Sequence, residues 1–231
     1  MGIVLIVLNQ TQKYLHKNRF DIFLTTQLIV LFSALLFPPK LHDTILQPIF
    51  FLLSIAAGIN LILSRRQLKW LYAFLFTLSA LLLASSLLLP SENEKVVLVR
   101  ILVNIVFGLS ITYHLIQQVW RAELVNRNVI MGLVSGYISL GFLAFFLFLL
   151  IDLTHPGAFQ GILLETQNFD LKADALMYYS FITLLTIGYG EIVPVHAIAQ
   201  KAAILTGLAG QFYVIIITTV VLEKYIRHSA K

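Results

Sequence analysis

Residues 186–190 read Thr-Ile-Gly-Tyr-Gly, followed by Glu191 and, three residues later, Pro194. The string lies in a short apolar run between two long hydrophobic segments. A regular helix does not favour it, because each Gly in a helix interior costs about 1 kcal/mol relative to Ala. Two glycines around a tyrosine therefore point to an unusual backbone. Carbonyls of an extended chain alternate in direction. Pointing successive ones the same way requires alternate residues in conformations that only Gly reaches without strain.

The surroundings are membrane-like. The chain is 59% hydrophobic and 12% charged, with mean hydropathy +0.89, against roughly half apolar and a quarter charged in soluble domains. Its 231 residues leave room for about six helices of the roughly 20 residues that a bilayer core demands. Cysteine is absent, which excludes disulfides, thiolate metal sites and thiol catalysis. The net charge of +5 in such a chain is not a nucleic-acid signal. Met1–Leu8 is too short to span and lacks the marks of a signal peptide. Ile6 defeats a myristoylation pattern, leaving a surface-lying or frayed tail.

Six spans are predicted. The first runs over 20–37 and stops at Pro38-Pro39. The second starts near Pro48, suited to a first helical turn, and ends at 64–66. The others cover 68–89, 96–119, 129–153 and 195–225. A polar stretch, 154–174, precedes a shorter apolar run, 173–185, which is too short to cross and fits a re-entrant half-helix. Eleven of the sixteen Lys and Arg residues fall on one side of this arrangement: Lys13, Lys17, Arg19, Arg65, Arg66, Lys69, Arg121, Arg127, Lys224, Arg227 and Lys231. That side is expected to be cytoplasmic, with both termini inside the cell and residues 186–190 opening outward. The expected fold class is an all-α, multi-pass cell-membrane protein. Its parts are an N-terminal segment, 1–19, a four-helix membrane domain, 20–127, and a final domain, 128–231. Irregular backbone at membrane depth must be buried in protein or line a watery cavity. One copy of the string per chain therefore implies a closed ring of subunits.

Residues 173–223 resemble the pore module of tetrameric potassium channels: pore helix, filter and inner helix. The first four helices resemble the six-helix branch of that family in number and orientation only. The resemblance implies a homotetramer in which Thr186 lends its hydroxyl and carbonyl to the innermost K+ site. Ile187, Gly188 and Tyr189 would supply the middle carbonyl rings and Gly190 the outermost, replacing the water around the ion. Tyr189 would point away from the ions into an aromatic cuff with Tyr178 and Tyr179. Glu191 would bond to Tyr178 behind the filter. As an alternative, Tyr178 and Tyr179 are interfacial belt residues. Leu185 stands where the family often has Thr, and Ile182 where some members keep a carboxylate. The carbonyl end of the pore helix, near Leu185, would aim its partial negative charge at the cavity, while Asp170 or Asp174 caps the other end or lies in a solvated loop. Gly210, like Gly207, is either a gating hinge or a small-residue helix contact. Gln211, Val214, Thr218 and Leu222 share one face at α-helical spacing and resemble cavity and gate positions.

The fourth helix carries Arg100 alone, where voltage sensing takes about 3–4 charges per subunit. Bundle hydrogen bonds are the simpler account of Asn104 and His114. His196 fits a solvated loop better than a proton sensor. No paired carboxylates, Ser/His/Asp set, metal cluster or phosphate loop appears, and Asp152 with His155 reads as outer-rim solvation, so no enzyme is expected. No cofactor is expected beyond K+ as the permeant ion, and no partner beyond lipid, the other subunits and any separate regulatory subunit. Other readings are a weakly selective cation channel of this fold, a potassium transporter and a non-conducting membrane subunit.

Overall fold

The computed structural model describes residues 15, 17–38, 41–62, 66–88, 94–122, 126–166, 168–217, 219, 222–223 and 226. The chain is mostly helical. Helix α1, Arg19–Phe32, tightens into a single 3-10 turn at Ser33–Leu35. Helix α2, Gln47–Ile62, is entered through a wide π-turn at His42–Leu46. Pro48 explains the wide turn. It has no N–H to donate, and its ring crowds the carbonyl four residues back, a conflict that a π-turn relieves. The buried His42 ring closes the connection, with Nε2 2.9 Å from Ser33 Oγ at the end of α1.

Helices α3 (Arg66–Leu88), α4 (Glu94–Arg121) and α5 (Arg127–Thr154) follow. Asn126 caps α5, its side-chain oxygen accepting from Val129 N at 3.1 Å. A short ribbon strand β1, Phe159–Gln160, leads to helix α6, Phe169–Leu184. Strand β2, Val193–Pro194, then precedes helix α7, Ala197–Phe212, which continues into a π-turn at Tyr213–Ile217.

Among the described residues, three helices are long and apolar enough to cross a membrane: α4, α5 and α7 with its final turn. The apolar parts of α2 and α3 are shorter, 47–61 and 72–82, and α1 has 14 residues. Helices thus stand at each of the six predicted segments, and three of them have the length and apolarity of a span. Along α4, Val99, Leu102, Val106, Leu109 and Tyr113 form an exposed stripe at the 3–4 residue spacing of one helical face. An apolar stripe of this length suits lipid or protein, not water.

Helix α5 is the central element and packs against α1, α4, α6 and α7. Two cores flank it. One joins α1 to α4 and the start of α5 through Phe20, Phe23, Leu61, Tyr72, Ile111 and Leu115. The other joins α5, α6 and α7 through Phe145, Phe148, Leu176, Tyr179 and Ala202. A buried polar link crosses from α1 to α5, where Gln27 Nε2 donates to Ser139 Oγ at 2.8 Å and to Ser135 O at 3.3 Å.

Candidate functional site

Helix α6 has 16 residues, about 24 Å at 1.5 Å per residue, and stops short of a roughly 30 Å hydrocarbon core. It starts four residues before the predicted apolar run. Asn168 is the cap, its side-chain oxygen accepting from Asp170 N at 2.8 Å and Leu171 N at 3.4 Å. This corrects the expected Asp cap. With the helix beginning at Phe169, Asp170 falls inside the first turn and Asp174 in the second. There Asp174 Oδ1 accepts from Gln47 Nε2 of α2 at 2.9 Å.

The other end of α6 builds the site. Thr186 N donates to Thr183 O at 3.1 Å, and Ile187 N to Ile182 O at 2.9 Å. This pair of bonds is a Schellman ending, which requires its hinge residue in the left-handed region. That residue is Thr186, φ +57°. A β-branched residue there is a genuine outlier, costing roughly 1–2 kcal/mol relative to the ordinary region. Strain of this kind concentrates at functional sites. Gly188 and Gly190 follow at φ +58° and +95°, while Ile187 and Tyr189 keep negative φ. The sign alternates residue by residue over all five positions. Such alternation is the backbone pattern by which successive carbonyls can face one side instead of reversing as in a strand. Apart from the glycine and its two neighbours, no atom of the described residues lies within 4 Å of where a Cβ would stand at Gly188 or Gly190. Backbone conformation, not crowding, therefore calls for glycine there.

Behind the string, Tyr178 Oη donates to Glu191 Oε1 across thirteen residues. This bond, ahead of desolvation and of Glu191's negative charge, pushes the Tyr178 pKa up to about 12. A folded-state pKa above the ordinary 10 means that the bond is fully present below about pH 10 and is lost as pH rises through about 12. In an alkaline titration followed by tyrosinate absorbance, Tyr178→Phe should remove one late-titrating tyrosine per chain. An unchanged late phase would place Tyr178 outside this bond.

Tyr179 departs from the expected cuff. It is buried, with its ring 5.1 Å from Phe148 and 5.6 Å from Phe159. Adjacent helical residues point about 100° apart, so when Tyr178 faces the string Tyr179 turns into the α5 core. Tyr189 is 71% exposed, its ring uncovered by its own chain. Leu185 is exposed and Ile182 buried. The outer loop is tied to the segment after the string by the β1–β2 ribbon, antiparallel with Phe159 opposite Pro194. Val195 N donates to Ala158 O at 2.9 Å beside it. The His155 and His196 rings lie 5.1 Å apart at this edge.

Helix α7 packs against α6 beside the string. Gln211 Nε2 donates to Thr186 Oγ1 at 3.2 Å. Gly210 lies against the carbonyl of Leu184, which a Cβ would overlap, whereas a Cβ at Gly207 would stand 3.9 Å from Thr183 O. Gly210 is thus a close-contact position, and the helix runs regularly through it to Phe212. Val214 and Leu222 are exposed, and Thr218 lies outside the described residues. The predicted common face from Gln211 to Leu222 assumed 3.6 residues per turn. The π-turn at Tyr213–Ile217 adds a residue to the register, so that spacing no longer carries the face across it. Tyr213 anchors the turn, with Oη donating to Leu133 O at 2.7 Å.

A helix too short to cross, an alternating backbone at its carbonyl end and a long following helix stand together in one segment. Residues 133–227, under half of the chain, match the family model described as ion channel, and this segment, from α5 to past the π-turn, is an ion channel domain of a membrane protein. No curated protein matches the chain, and no solved structure does.

Proposed function

We propose that the protein is a homotetrameric, potassium-selective channel of six membrane helices per chain, with both termini cytoplasmic. K+ passes down its gradient through rings of carbonyls from Thr186, Ile187, Gly188, Tyr189 and Gly190. The alternation of φ at Thr186, Gly188 and Gly190 carries this reading, because it supplies same-sided oxygens where a dehydrated cation needs them. The carbonyl end of α6 adds a favourable partial negative charge. Gln211 and the hydroxyl of Thr186 wet the inner entrance.

Purified protein in liposomes should pass potassium far better than sodium. Equal permeability, read from bi-ionic reversal potentials, would defeat the selective reading and leave a weakly selective cation channel. Conductance should vary shallowly with voltage. Arg100 is the one Arg or Lys in the interior of α4, and one charge crossing 100 mV contributes only about 2.3 kcal/mol.

A further inference from the structure

A cavity of about 60 Å³ lies between α1, α2, α4 and α5, away from the filter. Five phenylalanines help to wall it, and no charged side chain among the described residues lines it. Two of its lining residues, Gln27 and Thr112, are 1% and 4% exposed, and Gln27 Oε1 and Thr112 Oγ1 are buried with no hydrogen-bond partner among the described residues. An orphaned buried polar atom is costly and uncommon in a folded protein. Two on the wall of one cavity call for an occupant.

The amide orientation of Gln27 fixes what that occupant must offer. Its Nε2 faces the carbonyl of Ser135, which cannot donate, so the nitrogen belongs there and Oε1 is the free atom. Oε1 only accepts, so the occupant must donate. Thr112 Oγ1 can accept or donate. A neutral hydroxyl satisfies both kinds of partner, whereas an ion would enter an aromatic site without a counter-charge. A void this size holds a few heavy atoms, less than the roughly 150 Å³ that admits benzene. We infer that this cavity is a binding site for a small neutral hydroxyl compound, or for the hydroxyl end of a larger one, held by Gln27 Oε1 and Thr112 Oγ1. Its wall reaches the pore module, since Phe142 packs edge-on to Phe181 of α6 at 5.6 Å.

The test reads binding, not flux, and so stands whether or not the channel reading does. Full-length protein in phosphatidylcholine nanodiscs is titrated with 1-butanol and with 1-chlorobutane, which has no donor, by ligand-detected saturation-transfer NMR. The expected result is saturable 1-butanol binding, about fivefold or more tighter than 1-chlorobutane, the loss expected for one neutral hydrogen bond. Thr112→Val keeps the shape and deletes an unpaired hydroxyl, so it should fold and bind 1-butanol several-fold more weakly, while Val106→Ala on the exposed stripe should not. Equal affinity for the two compounds, unsaturable uptake or an unchanged Thr112→Val would overturn the inference. Doping the discs with a diacylglycerol separates the sources: competition with 1-butanol assigns a lipid hydroxyl, and its absence assigns a soluble one.

Discussion

Gly188→Ala is expected to abolish potassium-selective flux while leaving the chain folded. Gly188 holds φ +58° with open space where a Cβ would stand, so the substitution creates no clash within the subunit. The cost is conformational, roughly 1–2 kcal/mol per non-glycine residue in the left-handed region. In the proposed tetramer four such residues act on one ring. The sum, about 4–8 kcal/mol, lowers the population of the aligned ring by roughly a thousandfold or more. Thr186 shows how such strain can be tolerated. Its conformation is held by the two bonds that close α6, from Thr186 N and Ile187 N. Gly188 lies beyond that closure. Liposome flux measured beside the thermal stability of the same preparation checks the claim. Intact selective flux would mean that the carbonyl of residue 188 is not part of the pathway, whereas lost flux with unchanged stability is the expected pairing.

The particular residues show what was legible in the sequence. The glycines of the string announced positive φ, because Gly rarely interrupts an apolar run without a backbone reason. The pairing of Tyr178 with Glu191 was also accessible, through the family resemblance. Thr186 was assigned a ligand role by that resemblance, but its left-handed φ was invisible, since a β-branched residue argues against it. Only the bonds at the end of α6 dictate the conformation. Asn168 is not legible as the cap, because the first turn, Phe169 to Lys172, alternates apolar and charged residues and so lacks a helical period. The β1–β2 ribbon is two residues long, too short for an alternating pattern. The separation of Tyr178 from Tyr179 follows from helix geometry alone and could have been found by turning each residue through 100°. The π-turn at Tyr213–Ile217 had no local marker. Its visible partner is Leu133, 80 residues away.

Gly210→Ala should destabilise the assembled protein by about 1–3 kcal/mol per chain, the usual cost of forcing a methyl group into a packed site. The new Cβ would overlap the carbonyl oxygen of Leu184 and lie 3.0 Å from its Cδ1. That carbonyl cannot retreat freely. Leu184 is 1% exposed, and its oxygen also accepts from Tyr137 Oη of α5 at 3.2 Å. Helix α7 would have to move away from α6, lengthening the Gln211–Thr186 contact of 3.2 Å at the start of the proposed filter. Gly207→Ala provides the comparison. Its Cβ would meet Thr183 O at 3.9 Å, an ordinary contact, and Ala favours a helix over Gly by about 1 kcal/mol, so stability should hold or rise. A hinge role for Gly210 makes the opposite prediction, because Ala would then strengthen the helix and change only gating. The melting temperatures of the two variants, measured in the same detergent, separate the readings. A drop for Gly210→Ala with none for Gly207→Ala identifies a contact between inner helix and pore helix, and a rise for both would return Gly210 to the hinge.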